Sequence, residues 1–353
     1  MHWRKSYIIT CMARSKVVTF GETMLKFSPQ NYQRFMQATA MNVEYAGAEA
    51  NVAVSLANYG IESVFVSKLP DNDFGDAALN ILRHYGVVTS KVVRGGERIG
   101  IYFVERGASQ RPSKVIYDRK GSAISTAQPS DFDWNEIFKG ATWFHFTGIT
   151  PALSESLAAI CLEACKVAKS KGITISCDLN YRKKLWSKEQ ANKVMSELCQ
   201  YVDVCIANEE DAADVFGIKA ENGDVNKGMI DMSSYAKVAF QLREKFDFKK
   251  IAITLRESIS ASDNNWSAIL YDGANLHASQ KYTIHLVDRI GGGDSFGAGL
   301  IYGLLHYESP QQALEFAVAA SCLKQTIEGD FNMVKVEEVE SLMTGNVSGR
   351  IAR

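Results

Sequence analysis

Short runs of β-branched and aromatic residues recur along this chain, most followed by a longer segment with helical spacing. That alternation restricts the fold more than any other feature. Lys16–Phe20, Ser63–Ser67, Thr142–Phe146, Ile173–Cys177, Val202–Ala207 and Lys250–Leu255 read as buried strands. Gly47–Tyr59, Asp76–Tyr85 and Glu155–Ser170 carry helical periodicity, and in the last Leu157, Ile160, Cys161 and Ala164 share one face. Apolar strands alternating with helices need cover on both sheet faces, so the expected class is α/β, a largely parallel sheet between helical layers.

Two stretches break the rhythm, residues 23–46 and 98–122. Within the second, Ile99–Glu105 and Lys114–Tyr117 read as two hairpin strands. Both stretches together predict a small β lid inserted into an α/β domain spanning residues 16–345. Lys219–Ser233 is polar and reads as an exposed loop, and residues 1–15 as an N-terminal extension. The extension resembles a secretion signal only loosely, because its apolar run, Tyr7–Ala13, is short. Met12 is an alternative start.

Composition narrows the partners. The net charge is -1, which gives no support for nucleic-acid or anionic-membrane binding. No apolar run approaches the roughly 20 residues that span a bilayer. The seven cysteines are scattered without a C-x-x-C pair, which points to a reducing, cytoplasmic setting.

In open α/β sheets, ligands bind beyond the carboxyl ends of the strands. The segments there are polar: Gly21-Glu22, Thr147-Gly148, Asp178 to Arg182, Asn208 to Asp211, and Arg256-Glu257. One later segment carries more weight. Gly291, Gly292 and Gly293 follow a strand read at Lys281–Val287 and precede Asp294, the start of a helix read as Asp294–His306. Consecutive glycines at a helix start expose main-chain N–H groups that suit an anion. An aspartate there also fits a simple helix cap, but a cap does not explain three glycines.

The segment is neither a Walker A loop nor a dinucleotide fingerprint, since Phe296 stands where the latter needs glycine. Gly293 to Gly297 matches G-x-S-x-G. The hydrolase triad, however, needs an acid and then a histidine further on, and the last histidine is His306, on the same helix as Ser295.

Gly291-Gly292-Gly293-Asp294 resembles the G-A-G-D signature of the ribokinase/PfkB carbohydrate kinases. Gly47 to Asn51 resembles that family's G-G-x-x-x-N sugar signature, Asp71 to Gly75 its D-x-F-G turn, and Asn208 to Asp211 its N-x-x-E motif. The motifs occur in family order over about residues 16–345. The resemblance implies a ribokinase-like sheet with a β lid, ATP and Mg²⁺ as cofactors, and a homodimer formed through the lid. It implies Asp294 as catalytic base, with the amides of Gly291, Gly292 and Gly293 around the transferring phosphoryl group. Asn208, Thr254 and Arg256 would lie along the nucleotide, with Asp211 or Glu210 near the metal. Asp211 departs from the family glutamate, Pro70 from the glycine before the turn, and Arg256 from the usual glycine.

Within the family the chain looks most like the 2-keto-3-deoxygluconate kinases. The resemblance rests on Tyr102, Tyr117 to Arg119, Asp178 to Arg182, and Glu328 to Asn332. It implies substrate contacts from Gly47, Asn51, Tyr102, Tyr117, Arg119, Arg182 and Asp330. Arginine suits a sugar acid, because its fork binds carboxylate at two points. The alternative is a kinase of a neutral ketose such as fructose. A binding module without turnover is a third reading, against which Asp294 argues. Some residues also fit plain structural roles: Arg182 a solvated basic face, Tyr102 and Tyr117 lid packing, His145 the core edge, Glu22 a cap.

Overall fold

The structure, a computed structural model, describes residues 15–208, 210–219 and 232–345. All but the last residue of the predicted extension and most of the predicted loop at 219–233 lie outside the described residues. Met232 already begins a helix, Met232–Phe246.

A nine-stranded sheet forms the centre. Six strands run parallel, in the order Glu62–Val66, Lys16–Phe20, Trp143–Thr147, Thr174–Asp178, Val204–Ala207 and Lys250–Ser258. Asp263–Tyr271 then pairs antiparallel with Lys250–Ser258, and Leu276–Ala278 and Tyr282–His285 pair antiparallel with it in turn. The sheet is thus parallel over most of its width, with an antiparallel end that alternation alone does not reveal. The strand expected at Lys281–Val287 is shorter, Tyr282–His285. Lys250–Ser258 runs beyond its expected end, which puts Arg256 and Glu257 within the strand.

Alternation along the strands sorts side chains into two cores. Val18, Phe20, Phe144, Phe146 and Ile175 join the cluster under helix Glu155–Ser170. Val17, Trp143, Val204 and Ile206 join the opposite cluster, with Phe296, Ile301, Phe316 and Ala320 from two later helices, Gly292–His306 and Pro310–Lys324. These two helices pack closely. A Cβ on Gly299 or Gly303 would stand 2.9 or 2.7 Å from the Cα of Ala317 or Ala313. Helix Asp73–His84 starts three residues earlier than periodicity suggests, because Asn72 caps it by accepting from the amides of Phe74 and Gly75.

The two stretches that broke the rhythm meet in a separate four-stranded sheet, Met41–Ala46, Met24–Pro29, Gly100–Glu105 and Lys114–Asp118. Met24–Pro29 and Gly100–Glu105 are parallel neighbours, so the predicted hairpin is one part of a wider lid.

Candidate active site

Between the lid sheet and the carboxyl ends of the parallel strands lies a cavity of about 580 Å³. Every site residue singled out from the sequence lines it. Convergence of residues drawn from positions 47 to 330 on one cavity is a tertiary fact that no single motif supplies.

The glycine loop forms the floor. Gly291 caps the helix Gly292–His306 with φ 78°, ψ 0°, and a Cβ there would stand 2.1 Å from the Asp330 carbonyl, so both conformation and space demand glycine. At Gly293 a Cβ would meet nothing within 4 Å, so the open space begins there. The Gly292 amide turns back to the Arg289 carbonyl at 3.4 Å. Of the three glycine amides expected to face an anion, that one is therefore already engaged. The amides of Gly293 and Asp294, in the helix's first turn, have no intrahelical acceptor and take its place as donors.

Asp294 faces the same space. Asn51 Nδ2 donates to its Oδ2 at 2.6 Å, and the Asn51 Oδ1 in turn accepts from the Gly47 amide at 3.3 Å. Burial pushes the Asp294 carboxyl up to about 7, the nearby charges of Asp330 and Glu49 add to the rise, and Asn51 and Arg182 oppose it. A carboxyl poised near neutrality and fixed by one amide is suited to take a proton from a hydroxyl. Glu49, two residues before Asn51 on the same helix, is buried. Its Oε1 accepts from the Thr147 amide and from the hydroxyls of Thr147 and Thr150, at 3.0, 2.7 and 2.7 Å.

The strand ends supply more carboxylates. Burial, then the charges of Asp211 and Asp294, push Asp178 well up. Asp211 is held rather than free: its Oδ1 accepts from the Tyr181 amide at 3.0 Å and its Oδ2 from the Asn208 amide at 2.9 Å. Asn208 closes that turn by accepting from the amides of Glu210 and Asp211. Glu210 is exposed. Among the described residues, no three acidic, histidine or cysteine side chains converge into a metal cage. The Thr254 hydroxyl donates to the Ala207 carbonyl at 3.4 Å.

The lid side departs most from the sequence-based expectation. Arg119 gives Nε and Nη2 to one oxygen of Glu22, the Nε contact at 2.8 Å, and Ser122 donates to the other oxygen at 2.6 Å. Glu22 is therefore a buried ion-pair partner, not a cap, and the Nε side of the Arg119 fork is committed to it. The Arg119 guanidinium also lies 5.4 Å from the Tyr117 ring centroid. Tyr117 stacks on Tyr102 at 5.9 Å. Tyr102 donates to Asp330 Oδ2 at 2.6 Å, and Lys26 donates to Oδ1 at 2.6 Å. Asp330 and Tyr102 thus bind each other across the lid boundary. Arg182 uses Nη1 on its own neighbour's carbonyl, Tyr181, at 3.0 Å, and lines the cavity rather than lying on an open face.

Sequence reasoning passed over Lys26, Lys324 and Ser321. Lys26 interrupts the apolar lid strand MLKFSP, and Lys324 ends the apolar run AVAASCLK. A lone charge closing an apolar segment is the signal that was available. Burial lowers Lys26, but Asp330, Asp288 and Glu44 outweigh it and raise the ammonium's pKa. His145 is a core residue, as one of the two readings had it. It is buried beside the Ser176 hydroxyl at 2.8 Å, and burial lowers it to about 3, so it is neutral.

Fold and site together define an α/β protein with a buried carboxyl beside a glycine-rich helix terminus in one cavity. The profile of the pfkB family carbohydrate kinases matches residues 14–335, and the chain belongs to that family. It is 34% identical to a 2-dehydro-3-deoxygalactonokinase of Haloferax volcanii over 95% of this chain and 98% of that one. It is 28% identical to a 2-dehydro-3-deoxygluconokinase of Bacillus subtilis over 91% and 93%. The crystal structure of a 2-dehydro-3-deoxygluconokinase from Thermotoga maritima superposes with a TM-score of 0.91 at 54% identity, covering 94% of this chain and all of that one. The ribokinase-like fold and the carbohydrate-kinase class are thereby established. Among the described residues, no helix is long and apolar enough to cross a membrane.

Proposed function

We propose that the protein transfers the γ-phosphoryl group of ATP to the 6-hydroxyl of 2-keto-3-deoxygluconate, giving 2-keto-3-deoxy-6-phosphogluconate. The observation that carries the reading is Asp294, raised to about 7 and fixed by Asn51, next to the open amides of Gly293 and Asp294. Asp294 accepts the hydroxyl proton as the new O–P bond forms and the bond to the ADP oxygen breaks. The helix terminus holds the charge that gathers on the transferring group, which suits a reaction run by positioning and electrostatics. Mg²⁺ enters with the nucleotide. The donor set fits a cation bound mainly through phosphates and water near Asp211 and Glu210, since no protein cage is present among the described residues. Asn208, Thr254 and Arg256 line the nucleotide half of the cavity. Gly47, Tyr117 and Arg182 line the sugar half, with Arg182 the better placed arginine for the carboxylate.

The names borne by the similar proteins support a 2-keto-3-deoxy sugar acid and leave its C4 epimer, the galactonate, as the nearest competitor. One observation favours a neutral ketose such as fructose: Glu22 already takes one side of the Arg119 fork. The test is ADP release from ATP and Mg²⁺ with both epimers, fructose and ribose side by side. Preference for either keto-deoxy acid supports the reading, and preference for a neutral sugar overturns it.

The lid also supports a homodimer. Val43 and Ile116, on the two edge strands of the lid sheet, are 57% and 52% exposed. Gel filtration with light scattering of Val43→Lys, which should give monomer from dimer, tests this.

A further inference from the structure

Lys324 is the last residue of the helix Pro310–Lys324 and has no exposed surface. Its ammonium donates to the main-chain carbonyls of Asp288, at 3.1 Å, and Ile290. One turn earlier, the buried Ser321 hydroxyl donates to the Gly292 carbonyl at 2.7 Å. The Gln325 carbonyl accepts the amides of Val287 and Asp288, at 2.9 and 3.3 Å. The end of this one helix therefore grips the chain leading into the glycine loop, and it takes three carbonyls at alternate positions, 288, 290 and 292.

The consequence follows from the peptide unit. In a trans peptide the C=O and N–H point in opposite directions. Drawing the Ile290 and Gly292 carbonyls back toward the helix turns the Gly291 and Gly293 amides away from it. Gly293 faces the open cavity, and Gly291 lines it. Two carbonyl oxygens converging on one buried point also make a site that a small monovalent cation would fill. Here a covalently tethered ammonium fills it. Asp288 and Asp330 lie near enough to oppose the effect of burial on Lys324, which lowers its pKa.

We propose that Lys324 is the built-in cation of the glycine loop, a positioning residue that aims the loop amides at the transferring group and makes turnover independent of added K⁺ or Na⁺. This deepens the kinase reading and rests on it.

The test has two parts. In the first, the wild-type enzyme is assayed with K⁺, Na⁺ or tetramethylammonium as the only monovalent cation. The same kcat in all three is expected, and steep activation by K⁺ overturns the proposal. This part needs no variant to fold. In the second, Lys324→Ala is expected to lose ~10²-fold in kcat with little change in the sugar KM, as misplaced donors would cause. Ammonium or methylamine should restore part of the loss by occupying the vacated point. Wild-type kcat in Lys324→Ala, or a loss that no amine relieves in a variant that folds, counts against the proposal. Should the wild type turn over no sugar at all, the kinase reading fails separately. Lys324 is then judged by binding of ADP with aluminium fluoride, which should weaken in Lys324→Ala and recover with ammonium, and unchanged binding overturns it.

Discussion

At the glycine loop the main chain is held from behind. Lys324 and Ser321 fix its carbonyls, the Gln325 carbonyl holds the amides just before it, and the two helices below it lie backbone to backbone through Gly299 and Gly303. In the lid, side chains do the holding. Lys26 and Tyr102 clasp Asp330, Arg106 reaches Glu328 at 2.6 Å, and Arg119 is bound to Glu22. The outer lid strands are largely exposed, whereas the strands under the loop are buried along their length. Packed main chain is costly to rearrange. The Lys26–Asp330 and Arg119–Glu22 pairs are buried, so each holds while both partners stay in place, and they part only when the lid lifts and water reaches both charges together. The half that must aim donors at a transferring group is the rigid one. The half that must admit and release a sugar is joined by contacts that water can replace.

Substitutions on each side can break that contrast. The largest effect is expected on the rigid side. Asp294→Asn keeps the shape and removes the base, and kcat should fall by about 10²–10⁴-fold. Near-normal kcat in a steady-state assay would show that another group takes the proton.

Arg119→Leu comes next. It leaves Glu22 buried and without its cation, so stability should fall by about 3 kcal/mol in a denaturant titration. A large rise in sugar KM with little loss of stability would show instead that Arg119 serves the ligand more than Glu22.

A third expectation concerns pH. Asp294 must be ionised to act, and its carboxyl is raised to about 7, so kcat/KM should fall as pH drops through that value. The Asn51 hydrogen bond favours the ionised form, so Asn51→Ala should move the acid limb to higher pH. A limb left in place would mean that the pH dependence belongs to another group, Asp178 being the nearest candidate.

The smallest effect is expected in the lid. Tyr102→Phe removes one hydrogen bond to Asp330, while Lys26 still neutralises that carboxylate. The sugar KM should rise by only a few fold, consistent with about 1 kcal/mol for one bond. A collapse of kcat would place Tyr102 among the groups that order the loop and erase the contrast between the two halves.

Much of this protein was legible because its signals are local. Short β-branched runs and helical spacing located the six parallel strands and the helix Glu155–Ser170, whose limits the structure reproduces, and three glycines before an aspartate marked the helix terminus. What the patterns could not give is pairing. The antiparallel end of the sheet, the Glu22–Arg119 pair across 97 residues and the Lys26–Asp330 pair across 304 join segments with no sequence relation. Arginine and aspartate were read as ligands for a sugar because sequence displays a charge and hides its partner. A buried charge is stable only when paired, so the fold decides which charges remain free for substrate. The sequence determined where an anion could bind and which side chain could take a proton. The tertiary structure decided which amides face the cavity, that Glu22 binds one side of Arg119, and that a lysine from the neighbouring helix holds the loop in place.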